Sequence, residues 1–263
     1  TMKKIIYTMA LLAFTPLSMA AEKNADTKVN ATVKSDVTVA MNAKDRTKAD
    51  TERDARSRPD VTLKMLGVKT GDHVFDVFAG GGYYSELLAR IVGVEGKVYL
   101  HNNGAYRMFV GEALKKRMDN NKFTQMIQHD REVDDLGMKT GSLDAAMIIM
   151  SFHDLFFDDS ENGWPQIDRD AFMEQIHKGL KSGGRFMIVD HNAKAGTKDT
   201  VAKSLHRIEK VYAIKVIESY GFELKGESNV LGNADDDHSK SVFDKDMRGK
   251  TDRFILVFDK VAE

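Results

Sequence analysis

The sequence predicts an α/β fold: a seven-stranded, mainly parallel sheet with helices on both faces. Three observations carry that expectation. Short apolar runs rich in β-branched and aromatic residues alternate with helical patterns along most of the chain. The run from Ser142 to Met150 is continuously apolar, as in a strand buried on both faces. A third run, Val74, Phe75, Val77 and Phe78, ends in Gly80, Gly81 and Gly82 and passes directly into Leu87, Leu88 and Ile91 at helical spacing, which reads as strand, tight turn, helix.

In chain order, Lys48 to Arg58 is charged and helix-prone, and Pro59 starts a second helix carrying Val61, Leu63, Met65 and Leu66. Gly67 and Gly71 bracket the turn into the first strand. After the glycine turn and its helix, Gly96 to His101 reads as strand two, Gly111 to Met118 as a helix and Phe123 to Gln128 as strand three. Ser142 to Met150 is strand four. Ala171 to Leu180 is helical, Lys181 to Gly184 turns, and Arg185 to Val189 is strand five. A long helix is expected from Lys198 to Tyr220, stopped by Gly221, with Phe222 to Leu224 and Arg253 to Phe258 as the last strands and no helix between them. The connection from Ser228 to Asp252 carries the acidic run Asp235 to Asp237 before His238, and reads as a solvated lid.

Composition narrows the partners. With 263 residues and 42% hydrophobic content the chain can fill a real core, and 39 basic against 40 acidic residues leave no global basic field for nucleic acid. The absence of cysteine excludes thiol nucleophiles and thiolate ligands. Near the start, Lys3 and Lys4 precede an apolar run from Ile5 to Leu17, followed by Ser18, Met19 and Ala20, the pattern of a signal peptide over residues 1–20. That run is short of the roughly twenty apolar residues a membrane span needs. Export to the periplasm, without a stable membrane anchor, is therefore expected. Residues 21–47, polar with only small apolar residues such as Val29, Val33 and Val37, read as a flexible linker ahead of a domain spanning 48–263.

Asp76 with the glycines that follow carries a resemblance. Their spacing resembles the first motif of the class I S-adenosylmethionine-dependent methyltransferases, acidic-x-Gly-x-Gly-x-Gly, at Asp76, Gly80 and Gly82. Phe78 stands in place of the first glycine, as in the variant Asp-x-Phe-x-Gly-x-Gly of that family. The resemblance covers about Lys48 to Lys260 and implies a Rossmann-like sheet whose seventh strand is antiparallel, with S-adenosylmethionine as cofactor. It implies that Asp76, Gly80, Gly81 and Gly82 orient the amino-acid end of the cofactor, with Tyr83 either packing on it or sitting in the core. It further implies a ribose contact after strand two, where this chain offers Asn102 and Asn103 instead of a carboxylate, and an adenine contact at Asp130 after strand three.

Ligands in open α/β sheets sit beyond the carboxyl ends of the strands. His153 and Asp154 after strand four, with Asp190 and His191 after strand five, therefore form a candidate catalytic cluster. Histidine and carboxylate together suit removal of a proton from an acceptor, ahead of plain capping of buried strands and, behind that, a divalent metal. Acid–base work is the reading taken, with His153 or His191 as the base and no metal ligand assigned. The function expected is methyl transfer to an unknown small molecule. The alternative is an exported, non-catalytic binding protein on the same scaffold. The sequence leaves oligomeric state open.

Overall fold

A computed structural model describes residues 36–261. Its sheet has seven strands: β1 (His73–Val77), β2 (Lys97–Asn102), β3 (Met126–Asp130), β4 (Leu143–Ile149), β5 (Leu180–His191), β6 (Phe222–Ser228) and β7 (Arg253–Lys260). They lie in the order β3-β2-β1-β4-β5-β7-β6. β7 runs antiparallel to both β5 and β6, while the pairings among β1 to β5 are parallel. The expected architecture, antiparallel last strand included, is present.

Strand alternation builds two cores. Successive side chains point to opposite faces, so Val74 enters one cluster with Val98, Met147 and Val189, and Phe75 enters the other with Phe186, Ile148 and Phe258. Helices α3 (Pro59–Leu66) and α4 (Tyr83–Val92) cover the first face through Leu63, Leu66, Leu87 and Leu88. Helices α6 (Arg169–Gly179) and α8 (Lys210–Glu218) cover the second through Phe172, Ile176, Ala213 and Ile217. Helix α5 (Gly104–Asp119) begins earlier than the expected Gly111, because Asn103 caps it by accepting from the Tyr106 amide at 3.0 Å.

Four expectations change. Residues 36–41 form a helical segment, α1, whose Val37 and Ala40 are buried in the first core, and Arg46 makes a two-pronged ion pair with Asp54 of α2 (Lys48–Ser57). The described part of the expected linker, 36–47, thus packs on the domain; residues 1–35, including the expected signal peptide, lie outside the described residues. The helix expected from Lys198 to Tyr220 is two: α7 (Ala202–Leu205) ends at His206 with φ of 53°, and α8 follows. The break occurs because Arg207 turns inward to a fully buried ion pair with Asp236. That pair also overturns the solvated-lid reading of the Ser228 to Asp252 connection, where Leu231, Asp236, Val242 and Thr251 are all buried. Finally, Lys181 to Gly184 belongs to β5, as an irregular entry marked by a register shift against β4. Among the described residues no helix is long and apolar enough to cross a membrane.

Candidate functional site

The glycine turn lies where β1 meets α4. Gly82 has φ of 77°, and a Cβ there would meet Leu100 Cδ1 at 2.6 Å and Arg117 Cδ at 2.9 Å, so glycine is required on two counts. Phe78 also holds a positive φ, 52°, costly for an aromatic residue. Its ring is pinned between Tyr106, stacked at 4.9 Å, and Phe172, stacked at 5.8 Å. Arg117 from α5 braces the turn by donating from Nε to the Gly81 carbonyl, while its other nitrogens pair with Glu86 and Asp50. Tyr83 is buried in the first core, and its hydroxyl donates to Asp54 at 2.6 Å beneath the Arg53 guanidinium.

Asp76 is buried and accepts from the Ser85 hydroxyl at 2.6 Å. Burial pushes its carboxyl up to about 7, against the pull of that hydrogen bond. In an unfolded chain the same group ionises near the ordinary aspartate value of about 4. Between those values the folded state keeps a proton the unfolded state has lost, so this group makes stability fall as pH rises from about 4 to about 7. Asp76→Asn is expected to remove that slope and to gain on the wild type across the window by at most about 4 kcal/mol. Denaturant titrations of both proteins at the two ends of the window measure it; parallel pH dependences would show the carboxyl to be ordinary.

The ribose position turns out differently. Asn102, buried, accepts from the Gly80 amide at 2.9 Å and donates to the Gly80 carbonyl at 3.0 Å, clamping the turn with both ends of its amide. Asn103 is the α5 cap. Both amide oxygens, expected near the ribose, thus already accept from a backbone amide of the protein itself. Asn102→Asp, which would reinstate a carboxylate, is expected to cost about 1–3 kcal/mol because it sets an oxygen against the Gly80 carbonyl. Chemical denaturation reads that loss, and an unchanged midpoint would deny the clamp. Asp130 ends β3 in an exposed position and accepts from Gln128 at 2.7 Å. His101 is buried beside the turn, and burial lowers its imidazole to about 3.

The second cluster assembles at the ends of β4 and β5. Asp190, with 0% side-chain exposure, accepts from the His153 amide at 2.8 Å and lies 2.8 Å from its Nδ1. The other ring nitrogen, Nε2, is 3.1 Å from Asp154 Oδ1. Tyr106 donates to Asp154 Oδ2 at 2.9 Å and contacts Ser151. Burial alone would lower the His153 imidazole, but the Asp190 and Asp154 carboxylates outweigh it and push it up to about 10. Burial would likewise raise Asp154, yet His153 holds it well below the usual carboxylate range.

His191 meets this core through its amide, which donates to Asp190 Oδ1 at 2.7 Å, and its ring centroid lies 6.1 Å from that of His153. Its Nδ1 is 2.7 Å from the Thr251 hydroxyl, and its Nε2 makes no hydrogen bond among the described residues. Burial, reinforced by the nearby His153 and Arg253 charges, keeps the imidazole well below its usual value and hence neutral. It lines a cavity of about 680 Å³ with Met150, Phe243, Arg53 and Arg253. Of the four expected residues, His153, Asp154 and Asp190 interlock through their side chains, and His191 lines the cavity.

Several participants escaped the sequence reading. His206 stands with its ring centroid 5.3 Å from that of His153 and its Nδ1 3.8 Å from Asp154 Oδ1. Arg53 and Arg253 have no carboxylate within ion-pair distance among the described residues, and Arg253 Nε is buried with no partner. Tyr106 and Thr251 complete the group. A histidine between apparent helical turns carries no signal of its own.

No protein-family model matches the sequence, and no curated protein matches it. Solved structures do. The chain resembles a methyltransferase dependent on S-adenosylmethionine from Aquifex aeolicus at 18% identity and a TM-score of 0.57, covering 81% of this chain and 96% of that one. It resembles a putative sarcosine dimethylglycine methyltransferase from Galdieria sulphuraria at 13% identity and TM-score 0.57, covering 81% and 88%. A geranyl diphosphate C-methyltransferase from Streptomyces coelicolor A3(2), solved with Mg2+, geranyl diphosphate and S-adenosyl-L-homocysteine, is 12% identical with a TM-score of 0.56, covering 84% and 89%. At such identities the likeness is one of fold: the chain has the class I S-adenosylmethionine-dependent methyltransferase fold.

Proposed function

We propose that this chain is an S-adenosylmethionine-dependent methyltransferase acting on a small molecule, with His191 as the base at the acceptor. The observation that carries the reading is spatial. The glycine turn after β1 and the His191 cavity after β5 stand at the same carboxyl edge of the sheet, with only β4 between their strands. When bound, the cofactor supplies an electrophilic sulfonium methyl.

The protein's own work is alignment and proton removal. Gly80 to Gly82 admit the amino-acid end of the cofactor close to the backbone at the start of α4. His153 is a poor base, because both its ring nitrogens already face carboxylates. His191 is the better one: Thr251 fixes its orientation through Nδ1 and Nε2 remains for an acceptor proton. Arg53 and Arg253 line the same cavity with no carboxylate at ion-pair distance among the described residues, which favours an acceptor that carries a carboxylate or phosphate. The pattern from Lys3 to Ala20 supports work outside the cytoplasm after export.

Calorimetric titration of the chain from Ala21 with S-adenosylhomocysteine tests the reading. Saturable binding is expected, and Gly82→Val, judged folded by circular dichroism, is expected to abolish it. Absence of heat up to about 1 mM ligand, an affinity worth only about 4 kcal/mol, would overturn the assignment.

A further inference from the structure

The His153, Asp154 and His206 cluster is more than a set of strand-end caps. Each offers one donor atom, and the three donors lie within 4.8 Å of one another. Ligands around a tetrahedral zinc, with metal–nitrogen and metal–oxygen bonds of about 2.0–2.2 Å, are separated by about 3.3–3.5 Å. The separations here, 3.1 Å from His153 Nε2 to Asp154 Oδ1 and 3.8 Å from His206 Nδ1 to the same oxygen, bracket that value.

What surrounds the donors aims them. Asp190 takes both the amide and Nδ1 of His153, which turns Nε2 toward Asp154. A carboxylate behind a ligating imidazole fixes its tautomer and raises its basicity. Tyr106 occupies Asp154 Oδ2, so Oδ1 is the oxygen left facing the two histidines. His206 is held at a positive φ of 53°, a conformation bulky residues adopt at a cost, and that backbone brings its Nδ1 to Asp154.

Charge counting points the same way. Asp154 and Asp190 have side-chain exposures of 11% and 0%, and their ion-pair partners among the described residues are His153 and His206, with no lysine or arginine. Buried carboxylates are paired with cations or coordinate metals. A divalent cation between the imidazoles and Asp154 would supply that compensation.

We propose that His153 Nε2, Asp154 Oδ1 and His206 Nδ1 bind a divalent transition-metal ion, with Asp190 and Tyr106 positioning the ligands. Two imidazoles and one carboxylate select zinc, iron(II) or cobalt(II) over magnesium or calcium. Three protein donors leave a fourth position for water or a substrate oxygen. The site is independent of the methyl-transfer reading.

The test is titration of chelator-treated protein with Co2+, followed by visible absorption, and with Zn2+ by calorimetry. One equivalent is expected to bind, and Mg2+ at equal concentration is not expected to compete. Asp154→Asn and His206→Asn, the latter chosen because asparagine tolerates positive φ, are each expected to weaken binding by on the order of 10²-fold or more. Asp190→Asn is expected to weaken it by about 10–100-fold. His238→Asn, at another histidine with positive φ, should leave it unchanged. Circular dichroism of each metal-free variant separates a lost ligand from a lost fold. No stoichiometric binding to the wild type, or binding that survives in both ligand variants, would overturn the proposal.

Discussion

Asp236→Ala is expected to lower the unfolding free energy by about 3–5 kcal/mol, the range for leaving one partner of a buried ion pair uncompensated. Arg207 and Asp236 both have 0% side-chain exposure and meet through two contacts, Nη1 to Oδ2 at 2.9 Å and Nη2 to Oδ1 at 3.1 Å. Arg207 also donates to the carbonyls of Lys240 and Asn192. Asp236 accepts from the amides of His238 and Asp252. One pair thus ties the end of β5, the α7–α8 junction and the long connection before β7. Its removal leaves the buried guanidinium with backbone carbonyls but no carboxylate, and frees the connection that carries Thr251 and Phe243. Denaturant unfolding measures the loss. Replacing both partners at once, Arg207→Met with Asp236→Leu, should recover much of it, since an apolar pair leaves no buried charge. A single-variant loss under about 1 kcal/mol, the range of exposed pairs, would show the pair to be solvated.

His191→Ala is expected to lower methyl transfer by about 10²–10⁴-fold, the usual contribution of a positioned base, while leaving S-adenosylhomocysteine affinity unchanged. The split between rate and affinity matters, because a structural role for His191 would disturb both. Thr251→Val, which removes the oxygen that holds Nδ1, should act in the same direction with a smaller effect, since it loosens the orientation of the ring and keeps its nitrogen. Radiolabelled methyl transfer to a carboxylate- or phosphate-bearing acceptor, run alongside the binding titration, separates these outcomes. Equal rates in wild type and His191→Ala would remove the base from the scheme.

Much of the fold was legible because its signals are local. Apolar runs such as Leu143 to Ile149 and Phe254 to Phe258 announce strands wherever they sit, and the turn at Gly80 to Gly82 announces itself by composition. The site was legible only in part, because side-chain direction is set by distant neighbours. Asn102 stands where a ribose acceptor was expected, yet its amide turns to Gly80, 22 residues earlier in the chain. Asp236 sits in a run of three aspartates that reads as solvated, and nothing local says that the middle one is buried against Arg207. His206 was hidden inside what reads as one continuous helix, whose break comes from the inward turn of Arg207 at the next position. Of the four residues expected to converge on an acceptor, three interlock and the fourth, His191, reaches the cavity, a distinction made by Asp190 and Thr251 rather than by spacing.

A crystal structure of the protein grown with S-adenosylhomocysteine bears most directly on the methyltransferase reading. Ligand density is expected against Gly80 to Gly82, with the sulfur directed toward the cavity lined by His191 and Met150. Density elsewhere on the molecule, or none at saturating ligand, would contradict it.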